Sequence, residues 1–242
     1  MFPIQNAVPS RYPPVVTWAL IAANCAVFLI SIGLPPDDLE SFLSRFALVP
    51  ARYFSGDANP APSDYLPFFT MMFLHGGWLH LIFNMWTLWL FGRPVEDRLG
   101  SLRYSIFYCV CGVIAGLVHC AVNPTSSVPV LGASGAIAGV LGCYVRLFPM
   151  SRLIVVVPIL FLPLFFEVPA IIFVGIWFLL QLMQGAAELF TPATGANIAW
   201  WAHVGGFVAG LVLGSLLIQP KRDHRPYYAD EGLYGFDPVG RP

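Results

Sequence analysis

The sequence predicts an all-α polytopic membrane protein: a six-helix bundle with a long outer first loop and an interfacial segment before the fifth helix. Three observations predict it. Of the 242 residues 57% are hydrophobic and 10% charged, with a mean hydropathy of +0.73; soluble domains carry about 25% charged and about 45–50% apolar residues. The apolar residues fall in runs near the ~20 that a helix needs to cross a bilayer. The few charges collect between the runs. Spans are read near 15–34, 68–91, 103–122, 132–149, 168–187 and 198–218.

Residues 1–14 are read as a short cytoplasmic segment, and 15–218 as the membrane domain. The first apolar run, ending at Leu34, is too long for a signal-peptide core and precedes no A-x-A cleavage site, so it is taken as a span. Residues 35–67, rich in Pro, Asp and Ser, form the outer first loop. From Leu153 to Ala187 the chain is apolar but broken by Pro158, Pro163, Glu167 and Pro169, too long for one helix and too interrupted for two. Charge sorting decides between them. If 153–167 does not cross, ten of the 12 Lys and Arg face the cytoplasm (Arg11, Arg93, Arg98, Arg103, Arg146, Arg152, Lys221, Arg222, Arg225 and Arg241) and only Arg45 and Arg52 lie outside. A second crossing would put the Lys221 cluster outside. Residues 153–167 are therefore expected to be interfacial or re-entrant, with both termini cytoplasmic, and 219–242 a disordered cytoplasmic tail.

The same composition excludes several functions. A net charge of −1 with scattered basic residues offers nucleic acid no surface. The five cysteines (Cys25, Cys109, Cys111, Cys120 and Cys143) are odd in number, lack C-x-x-C spacing and read as small buried hydrophobes. There is no H-E-x-x-H for zinc and no pair of intramembrane Asp for an aspartyl mechanism.

Polar residues inside spans are costly, and each is a functional candidate. In HGGWLHLIFNMW, His80 and Asn84 stand four residues apart on one helical face, about 6 Å along the axis; bonding to neighbouring helices is the plainer role for such a pair. Ser134, in VLGASGAIAGVLG, follows NPTSSVP and falls in the first turn of a helix, where free backbone N–H groups and the dipole favour an oxyanion. Gly135 and Gly139 make this run a packing face as well. It is not the soluble-hydrolase elbow, since Ala136 stands where that motif needs Gly. His203 heads a stripe with Gly206, Gly210 and Gly214. The fourth and sixth spans both enter from outside, so Ser134 and His203 fall at one depth, with His80 and Asn84 somewhat deeper. Serine and imidazole in reach make a nucleophile and its base, and His80 and Asn84 could donate to an oxyanion. The carboxylates Glu167 and Glu188 lie at the edges, so a dyad held by tight glycine packing is expected, with a wet cavity beneath the 35–67 loop.

The motifs that carry a resemblance are His75, His80 and Asn84 in HGGWLHLIFN, WLFG followed by VEDRLG, GASG with Ser134, and AHVGG with His203. In this order they resemble the rhomboid family of intramembrane serine proteases, from about Phe68 to Gly214. The resemblance implies six core helices, Ser134 as nucleophile and His203 as base. His80, Asn84 and the backbone N–H groups of Ala133 and Ser134 would form the oxyanion hole, with His75 in support and Gly132, Gly135, Gly139, Gly206 and Gly210 in packing. It implies cleavage of single-span membrane proteins in the lipid bilayer near its outer face, without a cofactor or nucleic acid. Two positions depart from well-known members: no Trp accompanies Arg45 and Arg52 in the first loop, and Ala138 stands where Tyr or Phe often packs on the base. A non-catalytic rhomboid-like binder of transmembrane segments would usually lack the serine or histidine, and a transporter would need charged groups along a path. His119 matches nothing in the family and reads as structural. The short loops fit a bacterial inner membrane.

Overall fold

The computed structural model describes residues 2–54, 61–159, 162–190 and 198–218. In chain order its elements are β1 (Phe2–Asn6), α1 (Val15–Ile32), α2 (Pro36–Phe46), α3 (Trp78–Thr87), α4 (Arg93–Leu99) and α5 (Ser101–Val122). Then come α6 (Ser134–Leu147), β2 (Arg152–Ile159), β3 (Leu162–Pro169), α7 (Ala170–Phe190) and α8 (Trp200–Leu217). The expected tail, 219–242, with its Lys and Arg, lies outside the described residues.

The chain is mostly helical, as its composition requires. Among the described residues four helices, α1, α5, α7 and α8, are long and apolar enough to cross a membrane, and there is a fifth span if Pro62–Phe73 and Trp78–Leu99, bent by 81° at their break, count as one. The second span is thus not the single helix expected over 68–91. The break falls at His75, Gly76 and Gly77, where paired glycines weaken the helix, and it leaves His80 in the first turn of α3. A π-helical turn, Leu88–Gly92, joins α3 to α4.

Helix α6 has only 14 residues, about 20 Å of axis against the ~30 Å of a hydrocarbon core. Its approach is therefore irregular backbone, tolerated at such depth only where protein satisfies it. Val130 N donates to Leu48 O at 2.7 Å, Leu48 N to Val130 O at 3.0 Å, and Gly132 N to Met71 O at 2.8 Å. The first loop supplies this support, and it carries the amphipathic α2, with Asp37 and Asp38 in its first turn and Arg45 in its last.

The stretch expected to be interfacial or re-entrant holds two paired strands, β2 and β3, on either side of residues 160–161. β2 and β3 pair antiparallel from Arg152 opposite Pro169 to Ile159 opposite Leu162, so the hairpin ends where it began. The β-branched run LIVVV favours a strand, and Pro158 and Pro163, paired across the hairpin, forbid a helix. β1, from the stretch read only as a cytoplasmic segment, adds the third strand, so the class is not purely α.

Parallel packing of α6 and α8 is the centre of the bundle. A Cβ on Gly206 would overlap the carbonyl of Gly135, one on Gly210 that of Gly139, and one on Gly214 the side chain of Cys143. Each pair advances by four residues in the same sense, so the helices run parallel in backbone contact. α5 packs antiparallel, with Ala115 on Gly135 and Cys111 on Gly139.

At α4, Glu96 is 1% exposed. Its carboxylate accepts from Val16 N at 2.9 Å, Thr17 N and Thr17 Oγ1 at 2.8 Å, and Ser101 Oγ at 2.8 Å. Asp97 Oδ1 accepts from Arg11 N at 3.1 Å and Tyr12 N at 2.9 Å. The open N-terminus of α1 is thus capped from another helix, where its dipole favours a negative charge. Glu96→Ala strands those donors in the core and is expected to destabilise the fold by on the order of 3 kcal/mol. Thermal unfolding in detergent checks this, and Glu96→Gln, with half the acceptor capacity, should fall between.

Candidate active site

Three of the residues the sequence singled out arrive from the start of a helix. Ser134 opens α6, His203 is the fourth residue of α8, and His80 is the third of α3. Parallel packing brings the first two together: Ser134 Oγ lies 2.8 Å from His203 Nε2. His203 is 9% exposed, so the contact is largely shielded from competing solvent.

On the other side of the imidazole, His203 Nδ1 lies 2.7 Å from Gln181 Oε1 on α7. The amide NH2 of Gln181 faces Trp177 O at 3.4 Å, a long contact that agrees with the carbonyl oxygen facing the histidine. An acceptor at Nδ1 requires a proton there, which leaves Nε2 as the acceptor for the serine hydroxyl. The Trp177 and Trp200 rings flank the imidazole with centroids at 6.0 and 6.2 Å. The expectation of a dyad held by glycine packing alone is therefore corrected, since a side chain on α7 contacts the base directly. Neither edge carboxylate takes that place: Glu167 pairs with Arg152 across the hairpin at 2.9 Å, and Glu188 lines a separate cavity with His119.

Gln181 was legible as a pattern. The buried residues of α7 are Ala170, Val174, Gln181 and Gly185, one stripe on an otherwise exposed helix. A glutamine on the only inward stripe of an apolar helix is the same signal that picked out His80 and Asn84. A search confined to carboxylates passed over it.

His75, in the break before α3, is buried, with its Nε2 3.0 Å from Asn84 Nδ2. Its ring meets that of His80 edge-on, with centroids 5.0 Å apart. Gly132 lies outside α6 with φ +125°, so it is no part of the helix packing expected of it. A Cβ there would stand 2.7 Å from His80 Nε2 and 3.7 Å from Asn84 Nδ2. His80 and Asn84 thus face the segment that leads into Ser134, whose first-turn N–H groups have no intrahelical acceptor.

A cavity of about 470 Å³ opens on this group, lined by His80, Asn84, Gly132, Ser134 and His203 with apolar residues of α3, α6 and α7. Among the described residues of the 35–67 loop none lines it, and the loop reaches it only through Val130, which pairs with Leu48. Among the described residues no cluster of His, Cys, Asp or Glu could hold a metal ion.

The fold and this constellation define a polytopic helical membrane protein with a serine–imidazole pair at the N-termini of two parallel helices. The model of the Rhomboid domain matches residues 62–220. Rhomboid protein 1, mitochondrial, of Saccharomyces cerevisiae is 29% identical over 88% of this chain and 57% of its own length. Putative rhomboid protease YdcA of Bacillus subtilis is 33% identical over 55% of this chain and 62% of its own. Rhomboid-type serine protease 2 of Emericella nidulans is 28% identical over 65% of this chain and 28% of its own. The chain thus spans less than two thirds of each of these relatives. It belongs to the rhomboid family.

Gly206→Ala is expected to part α6 and α8, because the added methyl meets a backbone carbonyl that cannot swing aside. A misplacement of about 1 Å costs on the order of 10²-fold in rate. The rate at which a fluorophosphonate labels Ser134 should fall accordingly, while Gly175→Ala on α7, where a Cβ meets nothing within 4 Å, leaves it unchanged.

Proposed function

We propose that the chain is an intramembrane serine endopeptidase that cleaves single-span membrane proteins within the bilayer, near its outer face. The observation that carries this reading is the 2.8 Å contact between Ser134 Oγ and His203 Nε2 at the edge of a cavity inside a membrane bundle. Rhomboid relatives that bear the name protease support it.

In this reading His203 Nε2 takes the hydroxyl proton as Ser134 Oγ attacks the scissile carbonyl carbon. The carbonyl oxygen becomes an oxyanion, met by the Ser134 N–H and by donors on His80 and Asn84, and placed at the positive end of α6. His75, bonded to Asn84, holds that amide in direction. His203 then passes its proton to the leaving amine, and the C–N bond breaks to leave an acyl-enzyme. Water from the cavity repeats the sequence in reverse and frees Ser134. No metal or cofactor takes part. The apolar walls of the cavity suit a segment of transmembrane helix, unwound locally to expose its carbonyl.

In this reading the membrane is a bacterial inner membrane, both termini lie on its cytoplasmic side, and the helix starts Trp78, Ser134 and Trp200 lie toward its outer side. Labelling of single cysteines by an impermeant maleimide checks this: Ser63→Cys should react in intact cells and Arg146→Cys only after lysis, in a background with the five native cysteines replaced.

Purified protein in proteoliposomes is expected to cut a panel of single-span substrates, and Ser134→Ala or His203→Ala to abolish both cutting and fluorophosphonate labelling. Asn84→Ala should retain labelling and lose on the order of 10²-fold in kcat, the usual cost of one oxyanion donor. Binding of a transmembrane segment without cutting by the intact chain would support a non-catalytic binder instead.

A further inference from the structure

We infer that Gln181 is the positioning residue of His203, fixing its tautomer and ring plane through the Nδ1–Oε1 contact. The inference rests on the reading of Ser134 and His203 as nucleophile and base, and it adds a third member on a third helix.

Four observations converge on it. The contact is 2.7 Å, on the imidazole nitrogen remote from the serine. Gln181 is 7% exposed, while Gln184, one turn on, faces outward. Its amide nitrogen faces Trp177 O at 3.4 Å, a long contact that agrees with the oxygen facing His203. The face of α7 that carries it is narrow: only Ala170, Val174, Gln181 and Gly185 are buried, and Gly185 lets α7 close on Trp201. The same stripe carries Trp177 and Phe178, half-buried against the core, so an apolar residue at 181 would continue it, and a buried amide there is costly unless bonded.

The chemistry explains why an amide serves. The base must rest as neutral imidazole with its proton on Nδ1, because the other tautomer offers Ser134 a donor where an acceptor is needed. A neutral carbonyl oxygen selects that tautomer. It can also accept from Nδ1–H once the ring becomes imidazolium during attack. It does so without bringing a second full charge into a low-dielectric site, where an ionised carboxylate would be expensive. The role matches that of the orienting acid in a serine triad, at lower electrostatic cost.

The test uses full-length protein with 15N-labelled histidine, the His203 signals being assigned by difference from His203→Ala. In the wild type Nδ1 should carry the proton and Nε2 should be bare. Gln181→Met, similar in volume but without an acceptor, should show a mixture of tautomers. Its kcat should fall about tenfold or more, a part of the 10²–10⁴ that a positioned base supplies, with KM unchanged. Gln181→Glu, which keeps an acceptor oxygen, should restore the Nδ1–H form and most of the rate. Wild-type tautomer and kcat in Gln181→Met would overturn the inference, as would lost activity with the tautomer intact, the mark of a packing role. Should Gln181→Met not fold, the tautomer in Gln181→Glu decides: Nδ1–H supports the inference and Nε2–H overturns it. A wild-type protein that neither cuts nor labels overturns the protease reading itself, while the tautomer measurement still decides what Gln181 does.

Discussion

The backbone contact between α6 and α8 is the constraint on which the rest of the structure depends. Inside a bilayer, lipid chains compete with apolar side chains on equal terms, so helices associate where small residues allow close approach. Gly206, Gly210 and Gly214 meet Gly135, Gly139 and Cys143 at a constant offset of 71 residues (206 − 135, 210 − 139, 214 − 143). A constant offset of this sign means parallel helices, and parallel helices start at the same level. Their first turns therefore hold Ser134 and His203 side by side. The same arrangement, with α3 beginning at Trp78, points three helix N-termini at one cavity. Their free N–H groups and positive dipole ends face the cavity, a setting that favours negative charge there. One packing rule thus sets both the geometry and the electrostatics of the site.

The opposite end of the bundle is held by different means. There Glu96 and Asp97 clamp the chain entering α1, so that segment is tied to α4 through buried acceptors. The three-stranded sheet adds a second tie. β1 binds α3 and its π turn through Trp86 Nε1 on Pro3 O at 2.7 Å, Asn6 Nδ2 on Leu90 O, and Phe2 stacked on Trp86 at 5.7 Å. β3 runs directly into α7. The sheet therefore joins the far end of α3 to the beginning of α7.

The architecture was legible where one physical rule dominates. The first, third, fifth and sixth apolar runs became long helices because a bilayer-length stretch without charge has few alternatives, while the second broke at its glycines and the fourth gave a shorter helix. His80, Asn84, Ser134 and His203 stood out because polar side chains are rare in such runs, and the structure gathers them at one cavity. The hairpin was hidden for a matching reason: charge counting says whether 153–167 crosses but not what conformation it takes, and the β-branched run was weighed only for its prolines. Its partner strand lies some 150 residues away, at Phe2–Asn6, a pairing that no local pattern announces. VEDRLG was visible as a motif, but what Glu96 does depends on where the start of α1 lands. Gln181 was missed for a narrower reason: a triad was assumed to need a carboxylate, so a neutral acceptor was not sought.

The two walls of the cavity carry different parts of the chemistry, and this bears on how a substrate reaches it. α3 brings His80 and Asn84 to the lining and α7 brings Trp177, with Gln181 behind His203 rather than on the cavity surface, and the two helices barely touch each other. They are tied together through the sheet at one end and separate at the end where the site lies. Under the proposed protease reading, a transmembrane segment entering between them would meet no packed interface to break. Yet neither wall can move far without cost. A hydrogen bond weakens steeply beyond about 3.2 Å, so half an ångström of outward motion in α7 loosens the acceptor of His203, and similar motion in α3 withdraws the oxyanion donors. α6 and α8, locked backbone to backbone, cannot compensate. Access and alignment would therefore be opposed under that reading, and the sheet ties the two walls at the end away from the site.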